Sequence, residues 1–174
     1  KGKTDPEGVR TGWQTQLGED GDRDLAFYDT MLAALRSQLS VDSDRVYLMG
    51  HSNGSAFASL LLNQRGDAIA ATANMSAQPS ARLLAGDPAR SKRGARETGN
   101  AVVTYDTQKR SIPLAEQKLG IDQNRATVTG YLRAELGRGG LELQTYIYPG
   151  GHAPPPEVPK LVVDFFQRHT LSGG

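Results

Sequence analysis

Apolar residues along this chain keep two rhythms, one helical and one extended. Leu25, Tyr28, Leu32, Leu35 and Leu39 recur at the spacing of one helical face. They predict an amphipathic helix over Asp22–Leu39, with Asp22 or Asp24 as its cap. The preceding stretch, Lys1–Gly21, is polar, Gly-rich and without periodicity. Val41–Asp44 reads as a turn. Val46–Met49 is a short unbroken apolar run, the pattern of a strand buried on both faces. From Ser55 to Arg65 no Pro or Gly interrupts a segment rich in Ala, Leu and Phe. That predicts a helix buried on most sides and closed by Gly66.

Downstream, Ala68–Met75 reads as a second strand. Ser76–Asn100, with Pro79, Pro88, several Gly and many charges, reads as a loop insertion with room for a short helix around Ala81–Ala85. Ala101–Tyr105 is expected as a third strand. Asp122–Leu136 is expected as a helix that ends at the breaker Gly137-Arg138-Gly139-Gly140. Leu141–Tyr148 is expected as a fourth strand, with Leu141, Leu143 and Ile147 on one face. Val158, Leu161, Val162, Phe165, Phe166 and His169 form one stripe and predict a helix over Val158–His169. Strands that alternate with helices argue for an α/β domain with a parallel sheet. Sites in such sheets lie outside the carboxyl ends of the strands.

Composition narrows the chemistry. The chain has 174 residues, enough for one domain with a core. Its formal charge of +1 gives no reason to expect a nucleic acid or an anionic membrane as partner. The basic run Arg90–Arg96 lies among Gly, Pro and Ser and reads as a solvated loop. There is no Cys, so disulfides, thiolate metal sites and a Cys nucleophile are excluded. No segment is long and apolar enough to span a membrane as a helix. No His-x-x-His or carboxylate cluster suggests a metal, and no Gly-Lys-Ser/Thr or Gly-x-Gly-x-x-Gly suggests a nucleotide.

The candidate chemistry sits where the first strand meets its helix. Gly50-His51-Ser52-Asn53-Gly54 is a Gly-x-Ser-x-Gly turn between Val46–Met49 and the helix after it. That context makes Ser52 a candidate nucleophile, raised on a strained turn above a helix N-terminus. As a bare pentapeptide the match is weak in a chain with 20 Gly, and a cap in a Gly-rich turn is the plainer alternative. Serine needs a base, and histidine serves near neutral pH. There are three His. His51 is displaced by the turn, and His169 belongs to an apolar stripe. His152, in the Gly-rich loop after the fourth strand, is the candidate base. The acid that orients it should follow a strand between Ser52 and His152. Asp106, directly after Ala101–Tyr105, occupies that place, with a strand-end turn residue as the plain alternative. His51 and Pro154 flank these groups and are candidates for substrate binding.

These residues resemble the α/β-hydrolase fold. More narrowly they resemble the secreted esterases that group polyhydroxybutyrate depolymerases with feruloyl and acetylxylan esterases. The similarity rests on Asp24-Leu25-Ala26-Phe27, Val41-Asp42, Arg45-Val46-Tyr47 and Gly50-His51-Ser52-Asn53-Gly54. It rests also on Pro149-Gly150-Gly151-His152 followed by Pro residues and a closing helix with Phe165-Phe166. It covers most of Asp22–His169 and is weakest between Ala77 and Asn100.

The resemblance implies a three-layer α/β/α sandwich with a mostly parallel sheet, of which this chain would supply the C-terminal half. It implies a serine esterase without cofactor, acting on a small or polymeric ester, and a secreted or periplasmic location. Ser52 would be nucleophile, His152 base, and the Asn53 N–H an oxyanion donor. Three departures stand out. Lys109, not Asp106, falls where the family places its acid relative to Pro113. Ser55 stands where the group often has Gly. The strands that precede the nucleophile strand in the family, and the loop that gives the second oxyanion donor, have no counterpart here. The edge of Val46–Met49 is therefore expected to be covered by further polypeptide, a second chain or self-association. Rival readings are a catalytically impaired relative that binds a ligand, and a peptidase of the same fold.

Overall fold

The computed structural model describes residues 2–3, 11–76, 96–100, 127–129, 132–136, 142–146 and 153–171. Gly2–Lys3 (β1) and Thr11–Gly12 (β2) form a small antiparallel pair. A 3-10 turn at Glu19–Asp22 leads into α1, Arg23–Gln38. A second turn at Ser43–Arg45 leads into β3, Tyr47–His51. Then come α2 (Asn53–Arg65), a turn at Gly66–Ala68 and β4 (Ala71–Met75). The remaining elements are β5 (Arg96–Asn100), β6 (Thr127–Thr129), β7 (Leu132–Leu136), β8 (Glu142–Tyr146) and α3 (Val158–Gln167).

Six of these strands make one sheet in the order β3-β4-β5-β8-β7-β6. The pairs β3–β4, β4–β5 and β5–β8 are parallel, and β8–β7 and β7–β6 are antiparallel. The class is therefore α/β, with a mixed sheet. Leu25 and Tyr28 of α1 pack with Phe57, Leu60 and Leu61 of α2, Ile69 and the strand residue Leu48. Val158 and Val162 of α3 pack with Ala73 and Met75 of β4. Tyr47, the neighbour of Leu48, stacks on Phe166 of α3 with ring centroids 4.6 Å apart. Successive strand residues point to opposite faces, so α1 and α2 lie on one face of β3 and α3 on the other.

Several sequence expectations need correction. β3, which ends the sheet among the described residues, is not buried on both faces: Tyr47 and Leu48 are half-buried and Met49 is 63% exposed, whereas all five residues of β4 are buried. A short apolar run does not by itself distinguish a central strand from an edge strand. The capping of α1 also differs. Neither carboxylate caps it by its side chain: Asp22 is in the N-cap position without such a bond. Instead the Oε1 of Gln14, a fully buried side chain, accepts the N–H groups of Asp24 (3.0 Å) and Leu25 (3.2 Å). Its Nε2 donates to Asp22 Oδ1 at 2.8 Å, and Asp24 Oδ2 accepts the Gln14 N–H at 2.7 Å.

α2 does end at Arg65 with Gly66 as its C-cap, but the cap is not left-handed. Its φ is −54°, and the chain continues into a 3-10 turn. Arg96–Asn100, expected as the end of a loop, forms β5. Asp122–Leu136, expected as a helix, contains β6 and β7. Thr127, Val128 and Thr129 are β-branched, and Leu132, Ala134 and Leu136 alternate with Arg133 and Glu135. That extended pattern outweighs the Asp and Gly punctuation on which the helix expectation leaned. The expected short helix at 81–85 and the expected strand at 101–105 lie outside the described residues.

Candidate active site

The turn at Ser52 is shaped by its two neighbours in the chain and by β4. β3 delivers the backbone to Ser52, and α2 begins at the next residue. Ser52 takes φ 55° and ψ −122°, a combination that L residues rarely adopt. Such a conformation costs about 1–3 kcal/mol and persists only where the surroundings over-determine it. Here they do. The Ser52 N–H donates to the Met75 carbonyl at the end of β4 (2.9 Å), and the Ser52 carbonyl accepts the Ser55 N–H (2.9 Å). A Cβ on Gly50 would run into the Gly54 carbonyl group and lie 2.5 Å from Ser55 N. Gly50 is thus obligatory for the close pass between strand and helix. Gly54 is not: a Cβ there would meet only Trp13 Cδ1, at 4.0 Å.

Asn53 opens α2, where the first N–H groups have no intrahelical acceptor and the helix dipole is positive. Its side chain is held by the backbone of Trp13. Asn53 Oδ1 accepts the Trp13 N–H at 2.6 Å, and Asn53 Nδ2 donates to the Trp13 carbonyl at 3.0 Å. Trp13 in turn stacks on Phe57 of α2, centroids 5.0 Å apart and planes 3° from parallel. The residue after the nucleophile candidate is therefore pinned on both its polar atoms.

Ser55 is the site residue that the sequence did not reveal. It is 1% exposed. Its Oγ accepts the Met75 N–H at 2.8 Å and lies 2.6 Å from the Gly50 carbonyl and 2.7 Å from the Met75 carbonyl. The single hydroxyl proton goes to one of these two oxygens. Only the partner strand, twenty residues further on, makes this role visible.

The registers place the strand ends in one row. His51 pairs with Met75, Met75 with Asn100, and Asn100 with Tyr146. Ser52 comes directly after this row. The chain also leaves β5 and β8 from it, toward the segments that carry Asp106 and His152. Those two residues and Lys109 lie outside the described residues. His51 is exposed at the end of β3, and Pro154 is half-buried ahead of α3. Across the segment between β8 and α3, the Tyr146 hydroxyl donates to Glu157 Oε1 at 2.6 Å. This bond holds the Glu157 carboxyl below its ordinary range.

His169 is buried just beyond α3, its ring edge-on to Phe165 at 4.4 Å. Its carbonyl accepts the Tyr47 hydroxyl at 2.6 Å, which fits the packing role expected from its stripe. Among the described residues no group of three His, Asp or Glu side chains is placed to hold a metal ion.

No protein-family model and no curated protein matches this chain.

Proposed function

We propose that this protein is a serine hydrolase that cleaves carboxylic esters through an acyl-enzyme on Ser52. The observation that carries the reading is the backbone of Ser52: φ 55° and ψ −122° at a junction where a parallel strand ends and a helix starts at once. Strain of this kind clusters at functional sites, and a strand–turn–helix elbow exposes a serine hydroxyl above a helix N-terminus. The row of carboxyl strand ends supports it, because the segments bearing Asp106 and His152 depart from the same rim as Ser52. The four parallel strands in sequence order, with helices on both faces, favour the three-layer α/β/α sandwich of the α/β-hydrolase fold.

In this mechanism Ser52 Oγ attacks the ester carbonyl carbon while His152 takes its proton. Asp106 orients the imidazole and stabilises its charged form. The Asn53 N–H stabilises the oxyanion of the tetrahedral intermediate. The C–O bond to the leaving alcohol breaks, and the alcohol takes the proton from His152. Water, deprotonated by His152, then attacks the acyl-Ser52 carbonyl; the bond to Oγ breaks, His152 returns the proton to Oγ, and the acid leaves. His51 and Pro154, at the exit of β3 and before α3, border the substrate. Acetyl, feruloyl and hydroxyalkanoate esters are the substrate classes that the sequence resemblance favours, with export from the cytoplasm.

A serine-directed phosphonate separates this reading from its rivals. Covalent labelling mapped to Ser52, together with turnover of esters but not of peptide amides, is the expected result. No labelling of the folded protein would favour a binding protein built on the same fold, a reading to which Lys109 at the family's acid position points. Equal turnover of peptide amides would favour a peptidase.

A further inference from the structure

We propose that the buried Ser55 is a positioning residue for Ser52: its hydroxyl locks the strained turn to the end of β4 and so fixes where the nucleophile stands. This role rests on Ser52 being the nucleophile.

Ser52 is held on its strand side by Gly50, on its helix side by the first turn of α2, and laterally by β4. Ser55 touches all three. It belongs to the first turn, where its N–H donates to the Ser52 carbonyl at 2.9 Å. Its Oγ lies 2.6 Å from the Gly50 carbonyl, two residues before Ser52. The same Oγ accepts the Met75 N–H at 2.8 Å. The Met75 carbonyl, 2.7 Å from that oxygen, also receives the Ser52 N–H at 2.9 Å. One hydroxyl therefore joins the residue before the turn, the helix after it and the strand beside it.

A buried hydroxyl with strong partners on two strands is costly to remove, because the Met75 N–H then loses its acceptor. The chemical consequence exceeds the structural one. A misplacement of about 1 Å at a reacting atom costs on the order of 100-fold in rate. A Ser52 freed to relax toward an ordinary backbone conformation moves its Oγ by that order. A packing serine has no such effect. Ser59, buried one turn further along α2, has a hydroxyl without a partner among the described residues and provides the internal control.

The test measures two rates on the 174-residue chain: inactivation by the phosphonate probe and steady-state hydrolysis of p-nitrophenyl acetate. Ser55→Ala should unfold cooperatively at a lower temperature. When folded, it should label Ser52 about 10- to 100-fold more slowly, with kcat reduced in proportion and KM within about threefold. Ser55→Thr, which keeps the hydroxyl, should recover the rate to within a few-fold, and Ser59→Ala should label at the wild-type rate. If Ser55→Ala does not fold, Ser55→Cys keeps the volume with only a weak donor and carries the same comparison. A folded Ser55→Ala that labels as fast as wild type overturns the proposal and leaves Ser52 as nucleophile. A loss that appears wholly in KM, or that Ser59→Ala reproduces, overturns it equally. Absence of labelling in the wild type overturns the reading of Ser52, and the proposal with it.

Discussion

At the scale of residues, two glycines in one motif have different duties. Gly50 faces the Gly54 carbonyl and Ser55 N, whereas Gly54 faces open space up to Trp13. Gly50→Ala should therefore destabilise by about 3 kcal/mol, at the top of the range for overpacking. Gly54→Ala should change stability by less than about 1 kcal/mol, since Ala is the better helix former. Urea unfolding of the two variants side by side checks the contrast. Gln14 acts at the same scale. Its side chain caps α1 from outside the helix and is fully buried. Gln14→Ala leaves the Asp24 and Leu25 N–H groups without their acceptor and should cost about 1–3 kcal/mol. A loss near zero in the same unfolding assay would show that water replaces the cap. Neither Gln14 nor Ser55 was legible from sequence. A glutamine in a polar segment and a serine in a helix look inert until tertiary structure supplies their partners. The strand–turn–helix setting of Ser52 and Asn53 was legible because its three parts are contiguous in the chain.

At the scale of elements, α1 and α2 are joined by one ion pair as well as by their apolar faces. Arg65 Nε and a terminal guanidinium nitrogen donate to the two oxygens of Asp29 at 2.8 and 2.6 Å. These bonds hold the Asp29 carboxyl below its ordinary range, against a smaller opposing effect of burial. A depressed folded-state pKa gives stability that is present above the ordinary carboxylate range and lost as pH falls through the folded value. Both side chains are over a third exposed, so the pair is worth no more than about 1 kcal/mol. Asp29→Asn should lower stability by that amount at neutral pH and should converge on wild type in strong acid. A gap that persists unchanged at low pH would contradict this. α1 and α3 were legible from their apolar stripes, and α2 from an uninterrupted segment rich in Ala, Leu and Phe. The misread element, β6–β7, is short, and its capping Asp and trailing Gly mimic helix punctuation. The period-two alternation through Leu132–Leu136 was the better signal. Boundaries such as that of β5 depend on which residues find a neighbouring strand, which the chain's local pattern does not encode.

At the scale of the whole molecule, the sheet among the described residues ends at β3, and that strand carries no Lys, Pro or acidic residue to discourage pairing. Phe27, Met31 and Leu35, one turn apart along α1, are exposed as well. Folded proteins tend to cover features of both kinds. In the 174-residue chain they should drive self-association, read by light scattering as a mass above 18.7 kDa. A monodisperse monomer would contradict it.

The most direct test of the proposed activity is hydrolysis of p-nitrophenyl acetate and butyrate by the wild type, Ser52→Ala and Asp106→Asn. Turnover by the wild type is expected, with a loss of several orders of magnitude in Ser52→Ala and a strong reduction in Asp106→Asn. A folded wild type without activity, or a Ser52→Ala variant as active as wild type, would contradict a Ser52 hydrolase.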